Sequence, residues 1–594
     1  MSISEALGVP QHKVSVRVRR IGGGFGGKAH CCSLFAVPTA IAAVKLRKPV
    51  KCSMERYDDM VMSGTRHPFK CEYKIAIRSD GIFENVEWKL TSNCGHTMDM
   101  SVGVMTRAMV HADSVYRWPN ADIYGRVCKT NLASNTAFRG FGAPQAMFAT
   151  ETMLKHVAEE YGFDVNEVFV SEAHHSCPRG SLPHSVLVIF VVGKLQNVSL
   201  IREKNMYDEE GDCTPFGTHL HQCNIRRCWN ECLLLSDYNK RLQAINEFNR
   251  SNEYRKRGIY IVPTKFGVGF SVRHCNQAAA LVNIYTDGSV LIAHGGMEMG
   301  QGLYTKMMQV TARCLGIDVS LVHVDDTTTS TIPNASSTAA SSGSDLNGRA
   351  IIDACNKLNE RLQPIKSSNP NAAWKDWIQK AYMERIPLSA SGFATLRHDA
   401  VDFIRGKGAE LFEYFVYGVA CSEVEVDCLT GDHHVRTSLS SATDREKDKL
   451  NFLRADIVMD VGESLNPALD IGQIEGAFLQ GYGLFTIEEV KIGADGTRRT
   501  RGPGTYKIPS PDDTPRIFNV KFLKGSANKV GVFSSKGLGE PPLFLGSSAF
   551  FAIREAIRAF RIEHGKTDYF RMDSPATAEN IRLLCEDAIL GKVS

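Results

Sequence analysis

Residues 13–28 read KVSVRVRRIGGGFGGK. Val14, Val16 and Val18 alternate with polar neighbours, which is the period of a half-buried strand, and the run passes directly into GGGFGG at 22–27. Glycine is placed where the backbone must take positive φ or approach a ligand closely. Three further stretches repeat the signal: FRGFGAP at 138–144, HGGMEMGQG at 294–302 and KGLGEPP at 536–542. One such stretch alone is most often a tight turn. Four of them point to a large, rigid, anionic ligand wrapped by main-chain amides from distant segments.

A dinucleotide reading competes at the first turn, where Gly22, Gly24 and Gly27 satisfy G-x-G-x-x-G and Glu55 could serve as the ribose acid. Against it, Glu55 stands far beyond Gly27, Pro38 interrupts the following helix-like stretch at 30–46, and no repeating βαβ pattern follows. Working outward, strand-like stretches recur at 71–77, 279–292 (a hairpin around Thr286, Asp287 and Gly288), 420–427 and 455–461. Helix-like stretches recur at 151–161, 241–249, 348–362 and 547–559. The chain therefore reads as mixed α+β with long loops. Residues 169–201 and 438–453 lack a clear period and read as insertions outside the packed core, expected to be loops.

The 594 residues exceed the size of one domain, and 43% hydrophobic with 23% charged residues is ordinary globular composition. A net charge of +4 spread along the chain offers no basic stripe for nucleic acid. The apolar run at 186–192 is far short of the ~20 residues that span a bilayer. The N-terminus lacks the pattern of a secretory signal, and an odd count of 17 cysteines without a framework fits reduced thiols, so a cytoplasmic protein is expected. Cys223, Cys228 and Cys232 are spaced one residue off an iron–sulfur pattern, and with Trp229 beside them they read as core thiols. The histidines show no zinc spacing.

The four glycine motifs, in this order, resemble the molybdenum-cofactor portion of the xanthine dehydrogenase and aldehyde oxidase family of molybdenum hydroxylases. KTNLASNTAFRGFGAPQ, TDGSVLIAHGGMEMGQGLYTKM, YGVACSEVEVDCLTGD, DIVMDVGESLNPALDIGQIEGAF, TRGPGTYKIP, SKGLGEPPLFLGSSAFFAI and FRMDSPAT all read as family sequence. The resemblance implies two elongated molybdopterin-binding domains with the cofactor and active site at their interface. The first would span 1–168 and the second 261–594, joined by the insertion at 169–201 and a connecting segment at 202–260. It further implies that Gly24, Phe25, Arg139, Gln301, Ala339, Ala340 and Gln473 surround the molybdopterin, with Phe25, Arg139 and Ala340 nearest the molybdenum, mainly through backbone. Glu540 would be the general base, with water as oxygen source. Phe141 and Phe270 match the aromatic pair that holds a flat heterocycle, Ser271 a neighbouring substrate-side position, and Arg107 the substrate-orienting arginine of the xanthine branch.

These residue types suit that chemistry. A carboxylate walled by Pro541, Pro542 and Phe544 is poorly solvated, as a working base requires. Aromatic faces grip a planar ring without consuming its polar edges, and a guanidinium stabilises charge developing on a ring oxygen. One position departs from the purine branch: the glutamate that follows GGFGGK there is Ala29 here. Arg107 and the GEPPLFL wording still favour the xanthine branch, with oxidation of hypoxanthine and xanthine to urate, over an aldehyde oxidase acting on aldehydes and N-heterocycles. Family members also carry two 2Fe-2S domains, an FAD domain and an early stretch of the molybdenum region ahead of this sequence. The expectation is a C-terminal portion of a homodimeric enzyme that lacks its electron exit, or a truncated non-catalytic product.

Overall fold

The computed structural model describes residues 1–78, 80–160, 189–192, 198–397, 410–433 and 452–586. Three four-stranded sheets organise the described residues. In the first, strand Phe83–Gly95 lies between Ala121–Lys129 and Phe69–Arg78, with Phe69 opposite Ser92, and Ile189–Val192 adds in parallel to Phe69–Arg78. Helices Ser101–Met109 and Ala143–Glu160 pack on this sheet. Its interior is aromatic, centred on Trp88, Trp118, Tyr116 and Phe83.

The second sheet runs Ile517–Phe522, Phe452–Met459, Tyr414–Asp427, Arg255–Val268. Its long strands are buried almost throughout, because helices cover both faces. Helix Ser547–Glu563 packs on one face, and helices Ile225–Leu235 and Tyr238–Ser251 pack on the other. Pro263 is tolerated because Arg255–Val268 is the edge strand, so no ladder hydrogen bond is lost on its outer side. Buried Lys265 on this strand is ion-paired to Asp113 of the first unit, which stitches the two sheets together. The third sheet, Ser389–Thr395, Gln277–Ile284, Val290–His294, Val322–Val324, carries helices Leu303–Leu315 and Gly343–Ser368.

Several expectations change. The strand expected over 13–21 reduces to Arg17–Val18, because its partner Thr327–Thr328 offers only two residues, and Val16 is exposed. The helix after GGGFGG spans Ser33–Leu46 and keeps Pro38 within it; none of its residues is buried, since its main neighbour is the short helix Ser2–Leu7. Most of 169–201 lies outside the described residues. Of the remainder, Ile189–Val192 is a strand, and Val198–Asn205 is a helix whose Ile201 is buried, so the boundary expected at 201 falls inside an element. The β-branched run there has the propensity for a strand, and the edge of Phe69–Arg78 supplies the partner. Of 438–453 only Phe452 and Leu453 are described, and they open strand Phe452–Met459. Cys223, Cys228 and Cys232 are buried core thiols, the last two on helix Ile225–Leu235 beside Trp229.

Candidate active site

The FRGFG turn at 138–142 is the hub. It precedes helix Ala143–Glu160, and its backbone is left-handed at Gly140 (φ 89°) and again at Phe141 (φ 56°), where a side chain makes that conformation costly. Arg139 is buried, and burial lowers its pKa to about 10, with Glu540 opposing the shift. Its backbone N–H donates to the Phe25 carbonyl (2.8 Å), which fixes the GGGFGG turn against it. Its guanidinium donates to the Gly539 carbonyl, to Gln480 Oε1 (3.0 Å), and to Gln473 Oε1 (3.1 Å) and carbonyl (3.2 Å) on helix Pro467–Thr486. Three of the four glycine motifs therefore meet at one arginine.

Glu540 has both carboxylate oxygens held. The Gly140 N–H donates to Oε1 (3.1 Å) and the Ser341 hydroxyl to Oε2 (3.1 Å), while the Ser341 oxygen accepts from the Glu540 N–H (2.9 Å). Ala340 and Ser341 are consecutive left-handed residues (φ 57° and 55°), and the Ala340 carbonyl accepts from the Gly269 N–H (3.1 Å). Pro541, Pro542 and Phe544, which follow Glu540 in the chain, are buried.

Phe270 follows at the end of strand Arg255–Val268. Buried Asn276 clamps its backbone in both directions, accepting from its N–H (2.9 Å) and donating to its carbonyl (2.8 Å). Arg107, on helix Ser101–Met109, is buried, and burial lowers its pKa to about 10. Its Nη groups donate to the Gly267 (2.8 Å) and Gly269 (2.6 Å) carbonyls, with Phe266 and Phe412 flanking it. On the same helix Gly103 faces Phe141: a Cβ there would stand 3.1 Å from the ring. Ser271 is half-buried. Gln301 uses both ends of its amide within its own turn, accepting from Met299 N–H (2.6 Å) and donating to the Met297 carbonyl (2.8 Å). Met299 in turn packs where a Cβ on Gly24 would be, which ties this fourth motif to the first. The Ala339 carbonyl accepts from Ser342, which steadies the start of helix Gly343–Ser368. Ala29 is exposed, and its N–H donates to the Gly26 carbonyl (2.9 Å); His30 beside it pairs with Asp99 (2.8 Å).

Thus Gly24, Phe25, Arg139, Ala340, Gln473, Glu540, Phe141, Phe270 and Arg107 belong to one bonded and packed constellation, while among the described residues neither the Ala29 nor the Ser271 side chain hydrogen-bonds into it. The sequence reading passed over Ser341, Gln480, Asn276, Gly103 and Arg66. Only Ser341, next to Ala340, carries a signal in the sequence.

The backbone tests whether a molybdopterin suits this place. Gly22, Gly300, Gly472 and Gly476 have no heavy atom within 4 Å of where a Cβ would stand, so three segments around the hub border open space with bare main chain. Main-chain amides, glutamine amides and a guanidinium are donors suited to an anionic, hydrogen-bonding pterin. The residues fit the group.

Comparison with known proteins agrees. Residues 1–169 and 231–515 match models of a molybdopterin cofactor-binding domain, which sets the class. Xanthine dehydrogenase of Calliphora vicina is 47% identical over 98% of this chain, and xanthine dehydrogenase/oxidase of Gallus gallus is 47% identical over 98%. The chain spans 40% and 39% of those relatives' lengths. Among solved structures, CO dehydrogenase from Oligotropha carboxidovorans superposes with a TM-score of 0.79 at 18% identity, covering 100% of this chain and 70% of that one. Aldehyde oxidoreductase from Desulfovibrio gigas gives 0.76 at 22%, covering 98% and 56%. These two show the shared fold. The chain belongs to the xanthine dehydrogenase and aldehyde oxidase family of molybdenum hydroxylases, as its molybdopterin-binding part.

Proposed function

We propose that these 594 residues form the catalytic portion of a molybdenum hydroxylase that oxidises a flat purine, with electrons leaving through iron–sulfur and FAD domains outside this sequence. The observation that carries the reading is the Glu540 carboxylate, held by Gly140 and Ser341 beside the turns of Arg139 and Phe141. When bound, the molybdenum cofactor supplies the two-electron oxidation and brings the water-derived oxygen to the substrate carbon. The protein's part is positioning and proton transfer. Glu540 accepts the proton as oxygen attacks, and its two fixed hydrogen bonds keep the carboxylate aimed without rearrangement at the moment of reaction. Phe141 and Phe270 grip the planar ring by its faces. Arg107 holds the Phe270 turn through Gly267 and Gly269 and so acts on the substrate through the placement of that ring.

Ala29 favours a second reading, an aldehyde or simple N-heterocycle as the better substrate, because a methyl offers a purine edge no hydrogen bond. A homodimeric, cytoplasmic enzyme belongs to the same proposal. No helix among the described residues is long and apolar enough to cross a membrane. The test is a chimera in which this chain replaces the matching region of Calliphora vicina xanthine dehydrogenase, loaded with cofactor and assayed on xanthine, hypoxanthine and an aldehyde. Purine oxidation supports the first reading and aldehyde oxidation alone the second. A cofactor-loaded chimera inert on all three refutes both.

A further inference from the structure

We propose that Arg66, which lines a cavity together with Pro144, Gln145 and Glu488, is the positioning residue that sets the FRGFG turn. Its guanidinium donates to the Arg139 carbonyl (2.7 Å) and to the Phe141 carbonyl (3.3 Å), spanning the two residues on either side of Gly140. Gly140 is the residue whose N–H holds Glu540. One side chain therefore fixes the turn from which the Glu540 hydrogen bond, the Arg139 hub and the Phe141 ring all project. The turn needs such a brace, because Gly140 and Phe141 are both left-handed and Phe141 pays for that conformation.

Arg66 is itself anchored from both sides. The Thr65 N–H donates to Asn135 Oδ1 (3.1 Å) and the Thr136 N–H to the Thr65 carbonyl (3.1 Å), so the segment is bonded to the residues that lead into FRGFG. A Cβ on Gly64 would collide with the Ser134 carbonyl, so the two backbones approach as closely as glycine allows. His67 Nε2 is 2.7 Å from Ser101 Oγ at the start of the helix that carries Gly103 and Arg107. Arg66 makes no ion pair among the described residues. Glu488 and Glu540 act on it only at longer range, so its donors are committed to carbonyls and not to a carboxylate. Lysine could not replace it, because a point charge does not present the guanidinium fork to two carbonyls.

The catalytic half of this inference rests on the function proposed above; the structural half does not. The first measurement is hydrogen exchange on the full 594-residue chain. In Arg66→Gln, amides of 138–142 are expected to exchange at least ~10-fold faster, the effect of losing one charge-assisted bond of about 1.5 kcal/mol or more, while strands Arg255–Val268 and Tyr414–Asp427 are unchanged. The second is kinetics of the cofactor-loaded chimera, with pterin content measured by fluorescence. Expected is a fall in kcat of ~10- to 100-fold at unchanged pterin content, with KM changing less and Arg66→Lys intermediate. Unchanged exchange at 138–142, or exchange raised equally everywhere, overturns the brace. Faster local exchange with wild-type kcat overturns the link to Glu540. If the wild-type chimera is inert, the functional reading fails and the exchange data still decide whether Arg66 sets the turn.

Discussion

Arg107 carries two incompatible expectations that one substitution separates. As a substrate-orienting guanidinium, its loss should spare aldehydes and weaken purine oxidation. As placed, its Nη groups are committed to Gly267 and Gly269, so Arg107→Ala leaves two buried carbonyls unpaired and frees the Phe270 turn. We expect kcat/KM to fall on both substrate classes and the fold to lose ~1–3 kcal/mol by denaturant titration, the usual cost of orphaned buried acceptors. Loss confined to purines with unchanged stability would restore the direct role. Ala29 is the complementary case: Ala29→Glu in the chimera should raise kcat/KM for xanthine by about one to two decades, the worth of one polar contact at a specificity site, and leave an aldehyde unchanged. No gain would mean that another residue meets the purine edge. These two positions also mark what the sequence could disclose. Quoted motifs carried Glu540, Arg139, Phe141 and Gln473, whereas Arg66, Asn276 and Gln480 act through main-chain or amide contacts between segments far apart in the chain, and no local pattern marks such a partner.

At the scale of elements, legibility followed the availability of a partner. Strands Phe69–Arg78 and Tyr414–Asp427 and helix Ser547–Glu563 are legible over 71–77, 420–427 and 547–559, because there the apolar pattern is what the core consumes. The alternation at 13–21 was equally regular and yields two strand residues, since periodicity states which side chains could be buried and not whether another strand is present to pair. Strand Arg255–Val268 was missed for the opposite reason: two buried lysines and Pro263 disguise it, and only their ion pairs and its edge position make it tolerable. Helix Ser101–Met109 offers a test of its own, because its Gly103 packs against Phe141, one of the two rings proposed to grip the substrate. A Cβ at Gly103 would stand 3.1 Å from Phe141, tighter than ordinary contact, so the ring must shift. Gly103→Val should raise KM for a flat heterocycle ~10-fold, the scale of a misfilled apolar pocket, with a smaller change for a short aldehyde. Equal KM changes would show that the ring is not gripping the substrate.

The whole molecule brings three of the four glycine turns, far apart in the sequence, to Arg139 and packs the fourth on the first through Met299, and that convergence depends on how distant segments are joined. Lys265 with Asp113 and Lys536 with Asp460 are buried ion pairs between distant segments. Removing one partner strands the other charge, so Asp113→Ala should destabilise by about 3–5 kcal/mol, read by denaturant titration. A value under ~1 kcal/mol, typical of an exposed pair, would show that this junction does not hold the sheets together. Glu540 as the base of a molybdopterin site is the centre of the proposed function. Glu540→Gln in the cofactor-loaded chimera tests it most directly: turnover should fall by the ~10²–10⁴-fold expected of a lost acid–base group while pterin content matches wild type. Wild-type turnover at matched pterin content would contradict the account at its centre.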